Sequence, residues 1–161
     1  MIIRAATVDD AVRCAEIYGP FVTGSWVSFE TDSPGPAEMA QRIGDYGSSH
    51  AWLVAEARGA VVGYAYASPH RTRSAYSTSV DVAVYVEAGH AGHGVGSSLY
   101  SALFPILKDR GFHAAFAGIA LPNDASIALH TACGFTPVGV YREVGWKAGE
   151  WRDVGWWQRL L

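Results

Sequence analysis

Three glycines lie close together near the middle of the chain, between Gly92 and Gly96. An apolar run, 82–86, precedes them, and apolar residues at helical spacing follow them. A strand, a glycine turn and a helix N-terminus form an anion site, because the first backbone N–H groups of a helix lack helical partners. Glycine also lets a phosphate approach the backbone closely. The stretch predicts a site for a phosphate-bearing cofactor, and the alternative is an ordinary strand-to-helix turn.

Asp81 is the second candidate for chemistry, because it lies between Val80 and Val82 in an apolar strand. Aspartate is disfavoured there. A buried carboxylate is costly unless it is paired, hydrated or functional, and burial would raise its pKa toward the range of a general base. Asp81 is therefore a candidate base. The alternative is a strand-end aspartate that caps a turn.

The elements that must position these residues alternate between strand and helix patterns along the whole chain. Strands are expected at 2–4, 52–56, 61–67, 78–86, 114–119, 135–141 and 153–161. Helices are expected at about 7–22, 37–46, from the glycine turn to 110, and 123–132. This order predicts an α/β fold of the mixed-sheet (α+β) kind, with one sheet covered by helices on both faces.

The composition limits the classes of protein to consider. The 161 residues suit one domain, 1–161, and half of them are apolar while 17% are charged, which is typical of a globular chain. A net charge of −3 without a basic run gives no case for nucleic-acid binding. The start Met1–Arg4 lacks a signal-peptide core, no stretch is long enough for a membrane span, and no cluster has metal-ligand spacing. Cys14 and Cys133 form no paired motif, so a cytoplasmic enzyme is expected.

The position and spacing of the glycines show which of the common phosphate-binding motifs the turn matches. A dinucleotide fold needs G-x-G-x-x-G after the first strand, but here the glycines lie at mid-chain and Leu99 takes the third glycine position. A P-loop needs a Gly-Lys pair, which this chain lacks. The kind of phosphate site that remains is a turn that binds a pyrophosphate through its backbone in a mixed α/β domain.

That combination resembles the GNAT acyltransferase superfamily, whose acetyl-CoA loop has the pattern Q/R-x-x-G-x-G/A. Gly94 and Gly96 match its glycines, and 118–130 with Gly134-Phe135 resembles its second motif. The stretches 71–76 and 145–158 resemble the phosphinothricin and methionine-sulfone or sulfoximine N-acetyltransferases. The resemblance covers nearly the whole chain. It implies a central, mostly antiparallel, twisted sheet in a homodimer.

The resemblance implies acetyl transfer from acetyl-CoA to the primary amine of a small amino-acid-like substrate. An ammonium must lose a proton before it attacks a thioester. Asp81 takes the position of the subgroup's catalytic glutamate but is one methylene shorter, so either a water bridges the gap or the base is weaker. His130 takes a position near the CoA sulfur, where it would relay the proton or protonate the leaving thiolate.

The resemblance also implies the residues that bind acetyl-CoA. The pantetheine arm would lie along the backbone of Val84, Tyr85 and Val86 as an extra strand, and Asn123 would hydrogen-bond it or only cap a helix. The pyrophosphate would lie at Gly92, His93, Gly94, Val95, Gly96 and Ser97. Ala91 replaces the usual Gln or Arg, so phosphate binding would rely on backbone N–H groups, and CoA affinity is expected to be weaker than usual.

The substrate would be recognised by a polar stretch and by part of an apolar pocket. An arginine binds a carboxylate or phosphinate through two parallel hydrogen bonds; the alternative is a solvated basic loop. The substrate residues implied are Phe29, Arg71, Thr72, Arg73, Tyr76, Asp81, Val82 and Ala83. The Trp-rich end would line the pocket, contact a second copy or belong to the core. Two other functions stay open: acetylation of another amine, such as a peptide N-terminus or a polyamine, and CoA sensing with weak catalysis.

Overall fold

The computed structural model describes all 161 residues. Its elements follow the predicted order: β1 Ile2–Ala5, α1 Ala11–Thr23, α2 Pro36–Ser49, β2 Ala51–Ala57, β3 Ala60–Pro69, β4 Ser79–Val86, α3 Val95–Asp109, β5 Ala114–Ala120, α4 Asp124–Ala132, β6 Thr136–Lys147 and β7 Glu150–Leu160. None of the helices is both long and apolar enough to cross a membrane. No three His, Cys, Asp or Glu side chains lie together in a way that could hold a metal ion.

The seven strands form one sheet in the order β1-β2-β3-β4-β5-β7-β6. Every neighbouring pair is antiparallel except β4 and β5, which are parallel. That parallel pairing is short, since it joins only Ser79–Asp81 to Ala114–Phe116. Beyond Asp81 neither strand has the other as a partner, so an edge of β4 faces an edge of β5 across a gap.

Helices cover both faces of the sheet, as predicted. On one face α1 and α2 pack on alternate residues of β2 and β3, including Trp52, Val54 and Tyr64. On the other face α3 packs on the intervening residues, including Leu53 and Ala55. This alternation places successive side chains of β2 in two separate cores. The core under α3 holds β4 and the start of α3 in fixed relative positions, through Val80, Val82 and Val95.

The last two strands are longer than the sequence pattern predicts. β6 continues past the expected end at 141 to Lys147, and β7 begins at Glu150 instead of 153. Most of β6 is exposed, so its residues lack the apolar–polar alternation that marks a half-buried strand. Its pairing with β7 also shifts register between Tyr141 and Gly145. A sequence pattern that depends on alternation therefore ends too early.

Candidate active site

The gap between β4 and β5 opens into three cavities that form one continuous groove. The first contains Asp81 and has a volume of about 480 Å³. The second, of about 60 Å³, contains His130, and the third, of about 390 Å³, contains the glycine turn. Val27 and Tyr85 line all three cavities, so the cavities are neighbours along a single path. We refer to them as the Asp81 cavity, the His130 cavity and the glycine-turn cavity.

The glycine turn presents the N-terminus of α3 to its cavity. Gly94 caps the helix with φ 79°, in the left-handed region that glycine adopts without steric cost. Gly96 lies so close to α4 that a Cβ there would be 3.0 Å from Leu129 Cδ2. The residues of the turn that line the cavity are Gly92, Gly94, Val95, Gly96 and Ser97. The turn thus fits a pyrophosphate, because the free N–H groups of the first helical turn open onto the groove.

His93 is the one residue of the predicted phosphate site that does not line this cavity. It is exposed, and its Nδ1 lies 2.9 Å from the backbone oxygen of Ala91, to which it donates. The bond keeps the ring beside its own loop. Apart from His90, the residues of the loop and of the first turn of α3 that line this cavity are small: Ala91, Gly92, Gly94, Val95, Gly96 and Ser97.

The free edge of β4 runs between the Asp81 cavity and the glycine turn. Val84, Tyr85 and Val86 pair with β3 on one side, and they line the groove on the other. Asn123 caps α4 as predicted: its Oδ1 accepts a hydrogen bond from Ser126 N at 3.1 Å. Asn123 lines the groove, and its side-chain NH₂ has no protein partner. An extended arm lying along β4 would find unpaired backbone groups and an amide donor.

Asp81 lies at the last paired position of β4 and β5, opposite Phe116. It is half-buried and lines the Asp81 cavity. His70 Nδ1 donates a hydrogen bond of 2.5 Å to Asp81 Oδ1. Burial raises the pKa of the Asp81 carboxyl above its ordinary value, while the hydrogen bond from His70 and the charge of Arg71 act in the opposite direction. A raised pKa suits a carboxylate that must accept a proton.

His70 is a site residue that the sequence analysis missed. Its ring stacks on Phe116, with centroids 4.4 Å apart and planes inclined by 19°. Tyr76 and Trp156 contact it edge-on, each with a centroid distance of 6.0 Å. His70 directly follows Pro69, the last residue of β3, which pairs with Val80. The register of β3 on β4 pairs Asp81 with Ser68, so residue 70 lies diagonally from Asp81 on the same face of the sheet, but the sequence does not specify that register.

His130 is buried, with 4% of its surface exposed, and both ring nitrogens have protein partners. Nδ1 lies 2.7 Å from the backbone oxygen of Ser126, which can only accept, so Nδ1 carries the proton. The Tyr100 hydroxyl therefore donates to Nε2, at 2.9 Å. Burial lowers the pKa of His130 below its ordinary value, so the ring is neutral. Tyr100, which the sequence analysis also missed, lines the same cavity.

The predicted substrate residues divide into two groups in the structure. Phe29, Val82 and Ala83 line the Asp81 cavity, as Asp81 itself does. The second group is exposed and lies outside that cavity: Arg71, Thr72, Arg73 and Tyr76. Trp156, from the Trp-rich end, lines the cavity too, and the wall includes aromatic and apolar residues that were not predicted, among them Val27, Tyr66, Tyr141, Val144 and Val154.

The tryptophans near the C-terminus occupy three kinds of environment. Trp156 lines the Asp81 cavity, and Trp157 belongs to the core that α3 covers. Trp146 and Trp151 are exposed and pack edge-on against each other across β6 and β7, with centroids 5.1 Å apart. No single role fits this end of the chain.

Comparison with known proteins supports the same interpretation of the groove. Residues 11–135 match the sequence model of the acetyltransferase (GNAT) family. The phosphinothricin N-acetyltransferase of Streptomyces viridochromogenes is 41% identical over 157 residues, which are 98% of this chain and 86% of that protein. The L-methionine sulfoximine/L-methionine sulfone acetyltransferase of Salmonella typhimurium is 34% identical, and the match covers 100% of this chain and 95% of that protein.

A solved structure extends the likeness to three dimensions. The phosphinothricin acetyltransferase of Sinorhizobium meliloti, in complex with acetyl-CoA, superposes with a TM-score of 0.95 at 36% identity. The match covers 99% of this chain and 88% of that one. Because the family's sequence model and these relatives span most of its length, the chain belongs to the GNAT acetyltransferase family and is an acetyl-CoA-dependent N-acetyltransferase.

Proposed function

We propose that this enzyme acetylates the primary amine of a small amino-acid-like substrate of the phosphinothricin, methionine sulfone or methionine sulfoximine type. One observation carries the proposal: Asp81 is the only carboxylate that lines the groove, and it lies where the groove widens into its largest apolar cavity. Relatives named for such substrates are 34–41% identical to nearly the whole chain.

Acetyl-CoA supplies the acetyl group as an activated thioester. The turn from Gly92 to Ser97 would bind its pyrophosphate through backbone N–H groups and the dipole of α3. The edge of β4, at Val84–Val86, would pair with the pantetheine arm, and the free NH₂ of Asn123 would donate to it. This arrangement directs the reacting end of the arm toward the His130 cavity.

Asp81 would remove a proton from the substrate ammonium, directly or through one water, so that the nitrogen can attack the thioester carbon. The attack forms the C–N bond of the amide and breaks the C–S bond, and the thiolate takes up a proton. His130 and Tyr100 line the cavity where that sulfur would lie. Because both ring nitrogens of His130 have protein partners, Ser126 O and the Tyr100 hydroxyl, the two side chains would act together in passing a proton to the thiolate.

The walls of the Asp81 cavity suit a short side chain. Phe29, Tyr66 and Trp156 line it with Val82 and Ala83, and no lysine or arginine does. A second oxyanionic group on the substrate would need a cation from outside. Arg71 and Arg73, with Thr72 and Tyr76, stand on the segment that leaves His70, and we assign that role to them.

A panel of amines tests this proposal by release of CoA thiol from acetyl-CoA. The panel holds phosphinothricin, methionine sulfone, methionine sulfoximine, a polyamine and a short peptide with a free N-terminus. We expect the first three to give the highest kcat/KM. A higher kcat/KM for the polyamine or the peptide would show that the substrate belongs to that class of amine instead. Binding of CoA without thiol release for any amine would indicate a sensor.

We also propose that the protein is a cytoplasmic homodimer. Exposed apolar side chains on β6 and β7 support a second copy as the partner; they include Val138, Val140, Tyr141, Val144, Trp146 and Trp151. Large apolar patches on a protein surface are typical of contact sites. The location rests on cysteine usage: Cys14 and Cys133 are both free thiols, as in proteins of reducing compartments.

A further inference from the structure

The pairing of His70 with Asp81 points to a role for a residue outside the predicted site. We infer that His70 is the positioning residue of the base: its Nδ1–H holds Asp81 Oδ1, so that Oδ2 is the oxygen that meets the substrate amine. The inference rests on the proposed function of Asp81. It assigns to this chain a His–Asp pair in place of a carboxylate that acts alone.

The surroundings of His70 fix its ring. Its side chain is mostly buried, with 14% exposed. Phe116 of β5 stacks on one face, and Tyr76 and Trp156 contact the ring edge-on. A ring held on three sides keeps its Nδ1–H directed at one point, so little conformational freedom is lost when it holds the carboxylate.

No other group competes for the carboxylate. The hydrogen bond from His70 is the only one that the Asp81 side chain makes. Arg71, whose charge acts on the carboxyl, donates from Nη1 to the His70 backbone oxygen at 2.7 Å instead. An aspartate has a short side chain, so a single bond at one oxygen also sets the direction of the other. His70 thereby offsets the missing methylene, because it fixes where the shorter carboxylate points.

The hydrogen bond from His70 also acts on the pKa of Asp81. Burial raises that pKa, and two groups on the segment after β3 lower it: His70 through its hydrogen bond and Arg71 through its charge. β5 presents only Phe116 there. The other titratable groups of the cavity are the phenols of Tyr66 on β3, Tyr85 on β4 and Tyr141 on β6. Burial raises the pKa values of Tyr66 and Tyr85, which keeps both phenols neutral.

Three variants of His70 test the inference. His70→Phe keeps an aromatic ring and removes the hydrogen bond. His70→Asn places an NH₂ near the position of Nδ1, whereas His70→Gln places it farther out, near Nε2. His113→Phe, at an exposed histidine outside the groove, is the matched control. Each variant is assayed for kcat and for KM of both substrates across pH, with the most active amine of the panel and with thermal melting alongside.

We expect His70→Phe to lower kcat about 10- to 100-fold, the size of one hydrogen bond to a charged group. Its acidic limb of kcat/KM should move to higher pH, while KM for acetyl-CoA is unchanged. His70→Asn should retain more activity than His70→Gln, and this comparison decides the matter even where His70→Phe does not fold. Equal kcat and equal pH profiles in the wild type, Asn and Gln proteins would overturn the inference. Failure of the proposed function is distinct, because the wild type itself would then release no thiol.

Discussion

At the scale of single residues, the chemistry we propose depends on the surroundings of one carboxylate. Asp81 is half-buried in a mostly apolar cavity, and its only hydrogen bond comes from His70. Burial favours the neutral acid, and His70 favours the anion. The balance leaves the pKa of the Asp81 carboxyl above that of an exposed aspartate, so the carboxylate is more basic. His130, in contrast, has both ring nitrogens in use and is neutral.

Asp81→Asn is expected to lower kcat by about 100-fold or more, because general base catalysis contributes on that order. Acetyl-CoA binding should be unchanged, since the turn that we propose binds the pyrophosphate lies at the other end of the groove. Asp45→Asn, at an exposed position on α2, is the control. Thiol-release kinetics and calorimetric titration with CoA measure the two effects. Wild-type kcat in the Asp81 variant would remove this residue from the base role.

The pH dependence of the wild-type enzyme follows from the same residue. A general base works only when ionised, so kcat/KM should fall as the pH drops through the pKa of Asp81. Because that pKa is raised, the fall should begin at a higher pH than an exposed aspartate would give. A pH–rate profile of kcat/KM measures it. A profile that stays flat down to the ordinary range of aspartate would contradict the raised pKa.

At the scale of elements, the short pairing of β4 with β5 creates the groove. Only Ser79–Asp81 pairs across to β5, so the rest of β4 keeps one edge free. The glycine turn then directs the chain into α3, whose N-terminus closes the far end. Along the chain, the proposed base, the strand edge proposed to bind the pantetheine arm and the glycine turn therefore follow one another.

Gly94→Ala and Gly59→Ala form a matched pair that separates binding from backbone strain. Both glycines have positive φ, 79° and 80°, and neither Cβ would meet an atom closer than 3.9 Å. Each change should cost about 1–2 kcal/mol of stability, because an L-residue is strained there. Only Gly94→Ala should raise KM for acetyl-CoA. Thermal melts and initial-rate kinetics make the comparison, and an equal KM in both variants would argue against phosphate binding at this turn.

At the scale of the whole molecule, β6 and β7 present exposed apolar side chains at one end of the sheet. β6 is the last strand of the sheet, and nearly all of it is exposed. A long, apolar edge of this kind invites association in solution. A second copy of the chain would cover it by a two-fold contact of the same surface.

Light scattering after size exclusion tests the dimer directly. We expect the wild type to have twice the chain mass of 17.2 kDa. Val138→Glu, at a position that is 60% exposed on β6, should yield a monomer. Val12→Glu, 50% exposed on α1, makes the same change on another surface and should remain a dimer. A monomeric wild-type protein, or equal disruption by both variants, would exclude this face as the contact.

The sequence by itself determined the family, the order of the elements, the glycine cap of α3 and the Asn123 cap of α4. These features depend on local periodicity and on side chains within a few residues of one another. It also singled out Asp81, because a carboxylate among valines is conspicuous in any context. It ended β6 too early, since an exposed strand shows no alternation.

Only the tertiary structure decided that His70 hydrogen-bonds to Asp81 and that Tyr100 hydrogen-bonds to His130. Only the tertiary structure placed Arg71 and Arg73 outside the Asp81 cavity. The first two are contacts between separate elements. They depend on the register of β3 on β4 and on the packing of α3 against α4, which no short stretch of sequence specifies. The length of the β4–β5 pairing is of the same kind. The length of that pairing follows from how the core under α3 holds β4 and β5, and the end of the pairing is what opens the groove.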